Sequence, residues 1–115
     1  MILVVDDEPL IRDVLSDALT DEGYQVELAT TGGEALTHIE RQRPDLVLMD
    51  VMMPHVSGDE ALRRMRADPT LIGLKVILMS AVSLPDNAAP DGFLAKPFEL
   101  DTLLSCIACV LNEVD

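Results

Sequence analysis

Short runs of consecutive apolar residues alternate along this chain with longer stretches in which apolar residues return every three or four positions. That alternation restricts the fold more than any other feature, because the first pattern suits a strand buried on both faces and the second a helix buried on one. Residues 2–5 form such a run, and Leu10, Ile11, Val14, Leu15, Ala18 and Leu19 then recur at the spacing of one helix face. Gly23 stops that helix, and Tyr24, Val26 and Leu28 alternate with polar residues, as in a strand with one less buried face at a sheet edge. Ala35, Leu36 and Ile39 predict a second helix that ends before Pro44, and residues 46–49 another buried strand. Ser57 and Glu60 make a capping box, each side chain satisfying a free amide of the other's turn, ahead of a helix that buries Ala61, Leu62 and Met65. Residues 76–79 and 93–95 read as a fourth and a short fifth strand. Leu100, Leu103, Leu104, Ile107, Ala108 and Leu111 form a last helix, with Glu99 and Asp101 at its positive end.

Buried strands separated by amphipathic helices imply a parallel sheet covered on both faces, so the expected class is α/β, doubly wound. In such folds ligands gather outside the carboxyl ends of the strands. Asp6 and Asp7 end the first strand, Asp50 ends the third, Ser80 ends the fourth and Lys96 follows the fifth. Carboxylates brought together repel by a few kcal/mol per pair at an intermediate dielectric, so such a cluster requires a raised pKa, a counter-ion or both. Oxygen ligands without His or Cys nearby point to magnesium, with manganese as a substitute, rather than zinc. Lys96 adds a mobile positive charge and Ser80 a hydroxyl donor. Cation, lysine and hydroxyl around a carboxylate nucleophile are the parts that phosphoryl transfer uses. An acidic cluster that only aids solubility would explain one Asp pair, but fits five groups at four strand ends poorly.

The motifs Val4-Val5-Asp6-Asp7-Glu8-Pro9, Asp45 through Pro54, Ser57-Gly58, Ser80-Ala81 and Lys96-Pro97-Phe98 closely resemble the signature of bacterial two-component response-regulator receiver domains. The resemblance covers essentially the whole chain and implies a five-stranded, flavodoxin-like sheet in the order 2-1-3-4-5. It further implies that Asp50 accepts a phosphoryl group from a histidine kinase or phosphotransfer protein. Asp7 would ligate magnesium directly, Asp6 through water, and the carbonyl of Met52 would complete the protein ligands. Ser80 and Lys96 would hold the phosphoryl oxygens, and Phe93 would be the aromatic switch that moves inward with Ser80. The output would be an altered interaction with a downstream protein target or a fused effector.

Other residues read as structure. Cys106 and Cys109 have a C-x-x-C spacing but fall inside an apolar helical pattern, away from the helix start that activates redox pairs, and read as small buried or half-buried hydrophobes. His55 reads as a solvated loop residue, His38 as a helix-surface residue, and Arg63, Arg64 and Arg66 as a solvated helix face or a small basic patch. Pro97 would fit a cis peptide. One stretch departs from the family: fifteen residues, 81–95, separate Ser80 from Lys96, and Pro85 and Pro90 lie among them. After the fifth strand about eleven remain, near the minimum of about 10 to 12 residues for a whole crossover, and the two prolines interrupt them. The fourth helix is therefore expected to be missing or reduced to a turn between Pro85 and Ala89, and residues 82–90 to be locally mobile.

A chain of 115 residues has room for one domain, 1–115, and its net charge of -13 argues against nucleic acid or anionic membrane as a direct partner. No apolar run approaches the roughly 18 residues of a membrane span and no secretory signal is readable, so a cytoplasmic location is expected. Two other function classes fit less well. Aspartyl-phosphate hydrolases of the haloacid dehalogenase type carry a second aspartate two residues after the nucleophile, where Glu8 stands relative to Asp6, and no substrate-selecting cap fits. A receiver-shaped binding module without phosphorylation would lack the acceptor or the lysine, and both are present. The expectation is a signalling domain rather than an enzyme.

Overall fold

The computed structural model describes residues 1–84 and 88–111. Five strands, β1 (Ile2–Val5), β2 (Val26–Ala29), β3 (Leu46–Asp50), β4 (Lys75–Ser80) and β5 (Gly92–Ala95), alternate with α1 (Pro9–Asp21), α2 (Gly32–Arg41) and α3 (Gly58–Ala67). A 3-10 turn (Pro69–Leu71) precedes β4, and α4 (Leu100–Val110) follows β5. All strand pairs are parallel and the order is β2-β1-β3-β4-β5. β2 is an edge strand, as its alternating pattern predicts, although only Val26 and Ala29 are shielded and Leu28 is 38% exposed.

Because side chains alternate along a strand, each strand feeds two cores. Ile2, Val4, Leu46, Leu48, Ile77, Met79 and Leu94 pack under α1 and α4, against Leu15, Leu19, Leu103 and Ile107. Leu3, Val5, Val47, Met49, Val76 and Leu78 pack under α2 and α3, against Ala35, Ile39, Ala61, Leu62 and Met65. β1 and β3 are buried along their whole length because helices cover both sides. In α1 the apolar stripe is wider than the contact: Leu15 and Leu19 are buried, but Leu10 and Val14 are 72% and 56% exposed.

The helix ends follow local chemistry. Gly23, at φ +94, continues the chain past α1 in a conformation that most residues avoid, and its amide bonds the Thr20 carbonyl. Thr31 and Ser57 each accept an amide three residues on, from Glu34 and Glu60. Ser57 thus performs its half of the capping box, while the Glu60 carboxylate pairs instead with Arg63 and Arg64. Between β4 and β5, residues 81–84 and 88–91 carry no helix. Residues 85–87, on which the expected turn depends, lie outside the described residues.

Candidate functional site

Strand register assembles the site stepwise. Val5 pairs with Met49, so Asp6 and Asp50 stand side by side at the ends of β1 and β3. Asp50 pairs with Met79, placing Ser80 one residue beyond it, and Ser80 pairs with Ala95, placing Lys96 one beyond again. By alternation Asp6, Asp50 and Lys96 belong to the α1/α4 face, whereas Ser80 and Phe93 belong to the α2/α3 face.

One carboxylate oxygen from each of Asp6, Asp7 and Asp50 lies within 4.8 Å of the other two. Asp6 is fully buried and Asp50 is 6% exposed, while Asp7 faces solvent and marks the open side. Lys96 Nζ lies 3.4 Å from Asp6 Oδ2 and 3.4 Å from Asp50 Oδ1. Asp6 Oδ1 also accepts the Glu8 amide at 3.0 Å. Burial is the main force pushing the Asp50 carboxyl above the usual carboxylate range, and the neighbouring Asp6 adds to it; Lys96 and the Met52 amide oppose both. Among the described residues Lys96 pairs with two of the three carboxylates, so the cluster lacks positive charge, and its oxygen-only donors suit a hard divalent cation.

The remaining predicted residues take the following places. Ser80 is buried, its hydroxyl oxygen accepts the Val82 amide at 3.0 Å, and its carbonyl accepts the Lys96 amide at 2.8 Å. The Met52 amide donates to the Asp50 carboxylate, while the Met52 side chain is 64% exposed. Phe93 is 40% exposed, on the side of β5 that no described helix covers. The Lys96–Pro97 peptide is cis. His55 is exposed, at φ 67.

Two contributors take roles that the residue pattern does not specify, although Gly58 belongs to the Ser57-Gly58 motif. Arg12 Nη1 donates to the backbone carbonyl of Asp6 at 2.7 Å, tying α1 to the end of β1. Gly58 is pressed against β3: a Cβ there would lie 2.3 Å from the Asp50 carbonyl oxygen and 2.8 Å from Val51 Cα, so only glycine fits. Arg12 is unremarkable within its helix, and a glycine after an N-cap does not reveal what it packs on.

Three expectations change in part. Arg63 and Arg64 lie on a solvated helix face, as the commoner reading has it, and pair with Asp59 and Glu60, whereas Arg66 leaves that face and binds the β4–β5 region. His38 is half-buried, and its Nδ1 is buried without a hydrogen-bond partner among the described residues. Of the two free thiols Cys106 is half-buried but Cys109 is exposed, because it lies off the Leu103–Ile107 face of α4. An apolar groove of about 370 Å³ adjoins the acidic cluster, lined by Ile11, Val14, Leu15, Ala81, Pro97 and Phe98, with Lys96 at its edge. Apart from Lys96 it holds no group able to do chemistry.

The response regulator receiver domain, as a family, matches residues 2–108. The chain belongs to that family. Response regulator MprA of Mycobacterium leprae is 38% identical over 117 residues, which is 97% of this chain and 51% of that protein. The chain spans about half the length of the curated relatives it matches. Among solved structures, the signal receiver domain of a signal transduction histidine kinase from Syntrophus aciditrophicus superposes with a TM-score of 0.91 at 32% identity, covering 99% of this chain and 91% of that one. The receiver domain of sensor histidine kinase PA1611 from Pseudomonas aeruginosa, with a magnesium ion coordinated in its active site cleft, gives 0.88 at 32% identity and covers 96% of both chains. This receiver domain is accordingly of the two-component signalling type rather than a conventional enzyme, and receivers of response regulators partner with histidine kinases. No helix among the described residues is long and apolar enough to cross a membrane.

Proposed function

We propose that residues 1–115 act as one phosphoacceptor unit, in which Asp50 takes a phosphoryl group from a histidine kinase or phosphotransfer protein. The observation that carries this reading is a single lysine shared at 3.4 Å between Asp50 and Asp6, inside a cluster of three carboxylates from two adjacent strands. In the step itself an Asp50 oxygen attacks phosphorus, the bond from phosphorus to the donor nitrogen breaks, and an acyl phosphate forms. Asp6, Asp7, Asp50 and the Met52 carbonyl would hold magnesium, which supplies charge neutralisation at the phosphoryl oxygens. Manganese, which oxygen ligands also admit, finds no support among the relatives. Lys96 can swing from the carboxylates to a phosphoryl oxygen. The Ser80 hydroxyl, whose oxygen already accepts from Val82, keeps its proton to donate.

Readout would run through the opposite face of the sheet. Ser80 and Phe93 share that face, so drawing Ser80 toward the phosphate opens room for Phe93 to turn inward and alters the surface shown to a downstream protein or a fused effector. With a net charge of -13 this unit is not the part that would touch nucleic acid. Incubation with acetyl phosphate and magnesium, followed by intact mass, tests the acceptor: the wild-type chain gains one phosphoryl group and Asp50→Ala gains none. Equal labelling of the two would place the acceptor elsewhere.

A further inference from the structure

β5 has four residues, lies at the sheet edge and bonds only to β4, yet it carries Lys96 at its end. In a doubly wound fold the crossover helix ordinarily pins the incoming strand, and here no described residue between β4 and β5 is helical. On the α1/α4 side β5 is still held, through buried Leu94 and through Gly92 lying against Cys106 and Val110. On the other side Phe93 and Val82 are 40% and 55% exposed, and one side chain from α3 reaches across. Arg66 Nη1 donates to the Leu74 carbonyl at 2.8 Å, just before β4, and Nη2 donates to Asp91 Oδ2 at 2.7 Å, just before β5. The same carboxylate oxygen accepts the Val76 amide at 2.8 Å, and the Asp91 amide donates to the Val76 carbonyl at 2.8 Å.

We infer that Arg66 and Asp91 are positioning residues for Lys96: a clasp that sets the register of β5 from its entrance and so places the lysine at the acidic cluster. This rests on the reading of Lys96 as a ligand of the phosphoryl group. Two bonds between Asp91 and Val76 impose the register that continues as Ile77 with Gly92 and ends as Ser80 with Ala95. A slip of one residue would move Lys96 by about 3.3 Å and turn its side chain to the opposite face of the sheet. Burial opposes ionisation of Asp91, but the Arg66 guanidinium and the Val76 amide outweigh it and hold its carboxyl below the usual range. Arginine suits the place because its planar fork serves the Leu74 carbonyl and the Asp91 carboxylate together, which a lysine ammonium cannot do in the same geometry. The clasp, Ser80 and Phe93 share one side of the sheet, so a strand fixed at its entrance transmits movement of Ser80 to its far end.

The test uses the whole chain with magnesium and beryllium fluoride, a phosphoryl mimic, followed by fluorine NMR. Arg66→Gln should weaken beryllium fluoride binding about fivefold to tenfold while magnesium binding alone stays within about twofold, and Arg66→Lys should fall between. Asp91→Asn, which keeps shape and removes charge, should behave like Arg66→Gln. In a Lys96→Ala background Arg66→Gln should slow labelling by acetyl phosphate no further, because both changes disable one device. Equal loss in both backgrounds, or a parallel loss of magnesium binding, would show general destabilisation and overturn the inference. Undiminished beryllium fluoride binding by Arg66→Gln would overturn it as well. Absence of binding by the wild-type chain would instead overturn the phosphoacceptor reading, so the two failures are distinguishable.

Discussion

Replacing Asp50 by asparagine should stabilise the metal-free protein and destroy its response to magnesium. At an effective dielectric of 20, charges 4.8 Å apart, the outer limit within the carboxylate cluster, repel by about 3.5 kcal/mol. Exposed Asp7 is screened and adds little, so Lys96 at 3.4 Å, which returns about 5 kcal/mol, offsets Asp6, and burial of the charge remains the main cost. Removing the charge and keeping the shape should therefore gain about 1 to 2 kcal/mol. For a chain of this size that raises the melting temperature by about 5 °C in chelator. The dependence on pH has a definite sign. The folded-state pKa of Asp50 lies above its ordinary 3.8, so between those values the folded state holds the extra proton and wild-type stability falls as pH rises. The advantage of Asp50→Asn should open across that window, persist at neutral pH and vanish below 3.8. Magnesium should reverse the ranking at about a hundredfold excess over the dissociation constant, which stabilises the wild type by about 2.7 kcal/mol. Calorimetry at several pH values, with chelator and with magnesium, reads all three effects. A lower melting temperature for Asp50→Asn in chelator at pH 7 would refute the reasoning.

Two further outcomes follow from the geometry. Gly58→Ala forces a methyl group into the Asp50 carbonyl oxygen and should destabilise by about 2 kcal/mol or more, read by denaturant unfolding; less than about 0.5 kcal/mol would mean that α3 can retreat from β3 freely. Lys96→Ala removes the one cation that pairs with these carboxylates among the described residues, so magnesium should bind at least as tightly as in the wild type, while the change that beryllium fluoride produces in the amide spectra of Val82 and Phe93 is lost. A normal spectral response in that variant would remove Lys96 from the signalling role.

What the residues alone determined was the alternation of elements and hence the two-faced sheet, because a buried strand and a one-sided helix leave different periods in the chain. They also placed Asp6, Asp7, Asp50, Ser80 and Lys96 at strand ends, since a polar residue that closes an apolar run is visible without any fold. Which strands are neighbours was not in those periods; it came with the family resemblance and is realised in the register that sets Asp6 beside Asp50. Only the tertiary structure decided the rest, through contacts between residues far apart in the chain. The exposure of Leu10 and Val14 depends on how wide a contact α1 makes with the sheet. Arg66 looked like one of three interchangeable surface arginines, because a helix pattern records which residues face outward and not what the outward face meets. Its partners Leu74, Ala89 and Asp91 lie 8 to 25 residues away and meet it only once β4 and β5 are paired. The fit of Gly58 against Asp50 has the same origin: backbone contact between two elements depends on their separation, which no single residue encodes.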